Sequence, residues 1–363
     1  MKIKTKLLLS PKDIKPSYKS WKVEGVFNPA AVRLPNNKIM LYARVAEVQD
    51  IKHKKGISCP VIISTTEHKI HYEKIRNNQI LEKKGNVILF KDGVCRLSTI
   101  SHFRKIILDE SGMNVESISN KPDFMGRPEE SGYGVEDPRI TVMNNGYYMT
   151  YIGVSLHEGV STYLAFSKDL KKWNRLALIF REQNKDAVLF PGKFSRGKYI
   201  ALNRPESLFE FSKPGIWISY SRDLIYWGRD KHLIRPRKNS WEHERIGAGC
   251  VPIKTRKGWL LIYHGVEHKN GSNVYSVGAA LLDLENPKRI ISRSPPEKPL
   301  FKPSAAFEKD GFVKNVVFPT GAVMDLNGKD LLIYSGAADT YVSVRKIKLK
   351  DILNSLQPYK HRH

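Results

Sequence analysis

The strongest chemical signal in this chain is an aspartate fixed between a glutamate and a proline, in Gly134-Val-Glu136-Asp137-Pro138-Arg139-Ile140. The proline stiffens the backbone after the acid and an apolar strand follows, so the Asp137 carboxyl is expected to sit at a strand start, partly shielded from water. A carboxyl held that way has a raised pKa and can act as a general acid. The plainer alternative is that Asp137 caps a turn or pairs with Arg139. Glu136 points the other way along the strand and reads as structural. A second set, Arg44, Arg204, Lys254 and His264, offers several donors suited to an oxyanion such as phosphate, with Asn203 beside Arg204. Taken singly, each is equally a surface or ion-pairing residue, and His264, between Tyr263 and Gly265, is equally a core histidine. Asp339, in Ser335-Gly-Ala-Ala-Asp339-Thr340, suits a carboxylate that grips sugar hydroxyls, or one that caps a turn. Asn28, Glu47, His157, Glu158 and Lys193 complete the polar candidates.

These residues are scattered along the chain, and a repeated hairpin is what would gather them. A short apolar strand led by a proline recurs at Asn28-Pro29, Asp137-Pro138, Phe190-Pro191, Val251-Pro252 and Phe318-Pro319. Turns follow at Asn36-Asn37, Asn145-Gly146, Arg196-Gly197, Lys257-Gly258 and Asn327-Gly328, and a second apolar strand returns from each. Third strands are expected at Val61–Thr65, Thr162–Phe166, Gly215–Tyr220, Tyr275–Leu281 and Tyr341–Arg345, and outer strands at Leu178–Phe180, Leu233–Ile234 and Ile290–Ile291. Ser167-Lys-Asp169-Leu170 with Trp173 and Ser221-Arg-Asp223-Leu224 with Trp227 are near copies of one turn, and Asp283 continues the theme. Self-similar four-stranded units predict an all-β fold, a five-bladed β-propeller forming a single domain over 1–363, with a short C-terminal helix. Lys4–Leu9 would close the ring as the outer strand of the last blade, and residues 86–133 read as a functional loop or lid. A two-sheet sandwich is the alternative. In a propeller, strand starts and the ends of their partners meet at one mouth, which would bring the candidates together.

The bulk numbers exclude more than they assign. The 363 residues contain 41% hydrophobic and 10% aromatic residues, ordinary for a globular chain. No apolar run approaches the length of a membrane span, and the leucines after Met1-Lys-Ile-Lys-Thr-Lys6 are too few for a signal peptide. Three cysteines, Cys59, Cys95 and Cys250, have no disulfide or zinc spacing and suggest a reducing compartment, hence a cytoplasmic protein. The net charge of +25 admits nucleic acid, an anionic membrane, an acidic substrate, or simply a lysine-rich composition. The basic residues are spread along the chain, Lys52–Lys55 and Lys168–Lys172 resemble solvated turns, and no nucleic-acid module is visible. The expected partners are therefore small molecules, with neither nucleic acid nor membrane, and homo-oligomerisation stays open.

Several segments resemble glycoside hydrolase family 130, the inverting β-mannoside phosphorylases. The likeness runs from Val26–Ala30 and Leu41–Glu47 through Gly134–Ile140, Val188–Phe194, Arg245–Gly249 and Gly258–Val266 to Gly278–Pro287, Val316–Gly321 and Ser335–Thr340, in one order. The resemblance implies a five-bladed propeller that uses inorganic phosphate as co-substrate, and no metal or organic cofactor, to convert a β-mannoside into α-mannose 1-phosphate and a shortened acceptor. It implies Asp137 as the acid, its proton passing through the mannose 3-hydroxyl to the glycosidic oxygen. Asn28, Arg44 and Asp339 match mannose contacts, and Arg204, Lys254 and His264, with Asn203, match the phosphate end. An ordinary inverting hydrolase would instead need a second carboxylate to activate water. The chain departs from the family pattern at Val48-Gln49-Asp50, Pro191-Gly192-Lys193 and Asn203-Arg204-Pro205, so a hydrolase using Glu206, Glu242 or Glu244 is a second reading. A non-catalytic propeller that binds polyanions or glycans is a third.

Overall fold

The computed structural model describes residues 1–49, 56–64, 69–206 and 211–359. The chain is nearly all β, and every named strand pair is antiparallel. Sheet one orders Trp21–Arg33, Ile39–Gln49, Ile100–Leu108 and Val115–Ile118. Sheet two is Val135–Met143, Gly146–Ser155, Gly159–Ser167 and Asn174–Phe180; sheet three is Asn184–Leu189, Tyr199–Pro205, Ile216–Ser221 and Trp227–Ile234. Sheet four has Arg245–Ala248, Gly258–Lys269, Ser272–Leu282 and Ile290–Arg293 as its main strands. Sheet five is Val317–Met324, Asp330–Ala337, Tyr341–Lys348 and the N-terminal strand Ile3–Leu9. The N-terminal strand therefore completes the last sheet, as its apolar tail suggested, and a short helix, Leu349–Asn354, follows Lys348.

Each sheet buries both faces because apolar residues occupy successive as well as alternate positions of its middle strands. One core joins sheets one and two through Met40, Tyr42, Ile140 and Met149; a second joins two and three through Leu164, Leu189 and Ala201. Ile218, Ile246 and Trp259 join three to four, Ile262, Val317 and Ile333 join four to five, and Leu332, Val344, Leu41 and Val45 join five back to one. The sheets thus follow one another in a closed cycle. The Asp turns are built as expected: Asp169 accepts from the amides of Lys171 and Lys172, and Asp223 from those of Ile225 and Tyr226. Trp173 reaches across to sheet one, donating to the Tyr42 hydroxyl.

Two expectations are corrected. Val61–Ser64 is not the third strand of sheet one; it lies in Gly56–Ser64, which pairs with Lys69–Arg76 over a satellite core of Cys59, Ile75, Ile88 and Phe90. Thr65 and Lys52–Lys55 fall outside the described residues. The third strand is Ile100–Leu108 and the fourth Val115–Ile118, so residues 86–133 contain the outer half of sheet one and are not a single loop or lid. Ile100, Phe103, Ile106 and Leu108 of the third strand are buried, whereas the shorter alternation at 61–64 is more exposed.

Candidate active site

In three sheets the first strand carries a bulge whose residue has a positive φ. Register skips between Phe27 and Ala30, between Glu136 and Arg139, and between Lys185 and Val188. The residue at each bulge adopts a left-handed backbone: Asn28 at φ 48°, Asp137 at 51° and Asp186 at 52°. Such conformations are costly for non-glycine residues and persist where surrounding contacts hold them, often at functional sites. Asp186 is the residue that sequence reasoning missed. It occupies in sheet three the place of Asn28 and Asp137, but no proline follows it, and the pattern keyed on proline passed to Phe190-Pro191 at the other end of the strand.

The first half of the site is rich in carboxylates. Asn28 Nδ2 donates to Asp137 Oδ1 at 2.8 Å, and Arg44 Nη1 lies 3.4 Å from the same oxygen. Arg44 Nη2 reaches Glu136 Oε1 at 2.5 Å while its Nε donates to Ser101, and its guanidinium stacks over Phe27. Glu136, expected to be structural, thus faces the site. Among the described residues nothing hydrogen-bonds Asp137 Oδ2; the side-chain contacts are to Oδ1. Burial pushes Asp339 up to about 6, the Asp137 and Glu136 charges adding to the effect against Arg44. Glu136 is raised for the same first reason, with Arg44 opposing. Asp339 itself has φ 50°, and its backbone packs against Gly25, where a Cβ would come within 2.8 Å of the Asp339 carbonyl oxygen.

The second half is rich in cations. Arg139 bridges the halves, donating from Nη1 to the Asp137 carbonyl at 2.8 Å and from Nη2 to Asp186 Oδ1 at 3.2 Å. Arg204 Nη1 lies 2.6 Å from Asp186 Oδ2, and its Nη2 lies 2.8 Å from Glu206 Oε1. Arg245 and Lys185 flank Glu206 at 3.9 and 4.0 Å. Four cations, Arg139, Lys185, Arg204 and Arg245, therefore face two carboxylates, Asp186 and Glu206, an excess of two positive charges. Gly247 makes the packing possible: a Cβ there would lie 2.1 Å from Asp186 Oδ2 and 2.5 Å from His264 Cε1.

Three of the expected phosphate residues are placed differently. His264 is fully buried, and its Nε2 is 2.8 Å from Arg204 Nη1. Arg204 can only donate, so Nε2 accepts and the imidazole is neutral, consistent with a pKa pushed well below the ordinary histidine value by burial and by Arg204, Arg139 and Arg245. His264 orients Arg204 and is not itself a cation of the site. Asn203 projects from the other face of its strand, accepting from Asn184 and donating to Ser219. Lys254 is exposed beside the hairpin turn, opposite Trp259, whereas His264 is opposite Gly247; the five-residue offset from Trp259 to His264 is about 17 Å of strand. The Val251-Pro252 signal marked the turn end of its hairpin and not the mouth, and Phe190-Pro191 did the same for Lys193, which lies over Tyr199.

The other polar candidates lie apart from these contacts. Glu47 is buried against His102 and Arg104, Glu158 bonds Tyr163, and His157 is exposed. Of the glutamates considered for a hydrolase, Glu242 is buried in an ion-pair network with Arg237 and Arg293, and Glu244 pairs with Lys213 on the surface. Only Glu206 reaches the site.

With that geometry in place, the similarities to known proteins are specific. The model of glycoside hydrolase family 130, described as β-1,4-mannooligosaccharide phosphorylase, matches residues 97–358. A β-1,2-mannobiose phosphorylase of Listeria innocua is 33% identical over 354 residues, 96% of each chain. A 1,2-β-oligomannan phosphorylase of a Thermoanaerobacter species is 40% identical over 248 residues, covering 68% of this chain and 78% of that one. Among solved structures, the Listeria innocua β-1,2-mannobiose phosphorylase in complex with β-1,2-mannobiose superposes with a TM-score of 0.88 at 32% identity, covering 98% of this chain and 99% of that one.

Proposed function

The chain belongs to glycoside hydrolase family 130, and from that premise we propose that it is an inverting β-mannoside phosphorylase acting on short β-1,2-linked mannosides. The observation that carries this reading is the division of charge across the site. One half holds three carboxylates, Glu136, Asp137 and Asp339, around a single cation, Arg44; the other holds two excess positive charges. A phosphate dianion fits the second half, and a proton donor with sugar hydroxyls fits the first. The β-1,2 preference rests on the names of the relatives that match most of the chain.

In this mechanism Asp137 is the acid. Asn28 and Arg44 hold its Oδ1, and the Oδ2 proton passes through the mannose 3-hydroxyl to the glycosidic oxygen, as family membership implies. Phosphate, held by Arg204 and Arg245 with Lys185, attacks the anomeric carbon from the opposite face as the C–O bond to the acceptor breaks. The products are α-mannose 1-phosphate and the shortened acceptor. Asp339 and Arg44 grip mannose hydroxyls, while Asp186 and His264 position Arg204. The chemistry needs phosphate and no metal or organic cofactor. The five sheets in closed cycle are read as the blades of one propeller domain over 1–363, with the site at one mouth of its channel. A cytoplasmic location accompanies the reading; no helix of the described residues is long and apolar enough to cross a membrane.

The direct test runs the reaction backwards. Incubation with α-mannose 1-phosphate and a panel of acceptors should release inorganic phosphate with mannose, β-1,2-linked oligomannosides or both as acceptors. Phosphate release confined to β-1,4 acceptors would remove the linkage assignment, and none with any acceptor would remove phosphorolysis.

A further inference from the structure

A second cationic site lies away from the mouth, where sheets three and four meet at their hairpin-turn end. A cleft of about 920 Å³ is lined by Arg196, Lys198, Arg229, Lys231 and Lys288, with Phe194 and Tyr220 as apolar walls. Asp230 and Glu285 are its carboxylates, and the Asp230 carboxylate already accepts from the Ser219 hydroxyl. Among the described residues none of the five cations has an ion-pair partner or donates a side-chain hydrogen bond; Lys288 lies over the Tyr220 ring at 5.5 Å. This differs from the mouth, where Arg44, Arg139 and Arg204 are each paired with a carboxylate. The sequence spreads these residues over 196–288, and folding gathers them.

We propose that this cleft binds an oligophosphate, a flexible chain of several linked phosphate groups. A single phosphate would satisfy two or three cations and leave the rest repelling one another across the cleft. A chain of anionic groups neutralises all of them, and its backbone passes between Phe194 and Tyr220. Lys198 reports the repulsion in the free protein: burial and then Arg229, Arg196, Arg222 and Lys288 hold its ammonium below the ordinary lysine value. The cleft is separate from the catalytic phosphate position, since Lys198 and Arg204 lie six residues apart on one extended segment, about 20 Å.

The probe is labelled tripolyphosphate, titrated against the full chain at several salt concentrations, with orthophosphate and a single-stranded oligonucleotide as competitors. The triple variant Lys198→Ala/Arg229→Ala/Lys288→Ala should bind more weakly and lower the log–log salt slope by about 2, taking about 0.7 per lost contact as for single-stranded polyanions. Its phosphorolysis rate should be unchanged, which also shows that it folds. Lys83→Ala/Lys84→Ala, altering exposed lysines elsewhere, should leave affinity and slope as they are. Absence of tripolyphosphate binding at low salt, an unchanged slope in the triple variant, or an equal loss in the Lys83/Lys84 variant would overturn the proposal. So would equal competition by orthophosphate, or binding of the oligonucleotide alone. None of these readouts depends on which sugar the enzyme cleaves.

Discussion

Asp137 and Asp186 stand at equivalent bulges yet have opposite duties. Asp137 has one oxygen held and one open, so Asp137→Asn should lower phosphorolysis by about 100-fold or more, the usual worth of a general acid, with the far-ultraviolet circular dichroism unchanged. Asp186 has both oxygens turned to arginines, and Asp186→Ala would take from the buried Arg139 and Arg204 the carboxylate they share, leaving Arg204 with Glu206. Loss of one member of a buried pair costs about 3–5 kcal/mol, so the variant should unfold at markedly lower denaturant, and the KM for phosphate should rise more than that for the mannoside. Asp339 gives a pH signature. Its carboxyl, pushed up to about 6 by burial, keeps its proton in the folded chain at pH values where the unfolded chain has released it. The resulting stability is complete below the ordinary aspartate range and is lost as pH rises through about 6. The melting temperature of the wild type should therefore fall relative to Asp339→Asn between pH 5 and 7, and a difference independent of pH would contradict the assignment. The sequence made Asp137, Asn28, Arg44 and Asp339 legible because proline or the hairpin rule marked their places. Asp186 was hidden because a bulge is a backbone event, and Ala187 after it carries no signal.

At the scale of elements, the hairpin is the unit that sequence displays best, since its turn residues and its apolar strands are both local. The end of the hairpin on which a proline falls is less visible. In sheets one, two and five the proline sits within the first strand, whereas Pro191 and Pro252 lie beyond theirs, and this displaced Lys193 and Lys254 from the site. Register is what distinguishes the two cases, and it is set by pairing across the sheet. The packing of Gly247 shows how tightly that pairing is used. Gly247→Ala would push a methyl into Asp186 and His264, so phosphate KM should rise while the mannose-binding half, built on other strands, keeps its affinity. The N-terminal strand makes a second test of element-level reasoning. Ile3–Leu9 pairs with Tyr341–Lys348, and Leu9 is buried beside Val342 and Val344. Leu9→Ala should cost about 2–5 kcal/mol, read by denaturant unfolding, because the cavity opens in the core that joins the last sheet to the first.

For the whole molecule, the closed cycle of sheets explains how residues far apart in sequence share one site without a dedicated active-site loop. Sheet one supplies Asn28 and Arg44, sheet two Asp137 and Arg139, sheet three Asp186 and Arg204, sheet four Arg245 and His264, and Asp339 follows a strand of sheet five. The proposed acid is on sheet two, while Arg204 and Arg245, which hold phosphate in the proposed mechanism, are on sheets three and four, so that chemistry needs neighbouring sheets to be packed together. Part of the high net charge is given two locations by the same folding: an excess of two in the cationic half of the site, and the cations of the cleft between sheets three and four, which have no ion-pair partner among the described residues. Neither is a run in the sequence, which is why composition alone could not separate a phosphate enzyme from a lysine-rich surface. The central claim is that phosphate is the nucleophile. Incubating the protein with β-1,2-mannobiose in the presence and absence of inorganic phosphate, and assaying both mannose 1-phosphate and free mannose, tests it most directly. With phosphate, equal amounts of mannose 1-phosphate and mannose should form, and without it neither; mannose released at the same rate in both, with no mannose 1-phosphate, would make the enzyme a hydrolase.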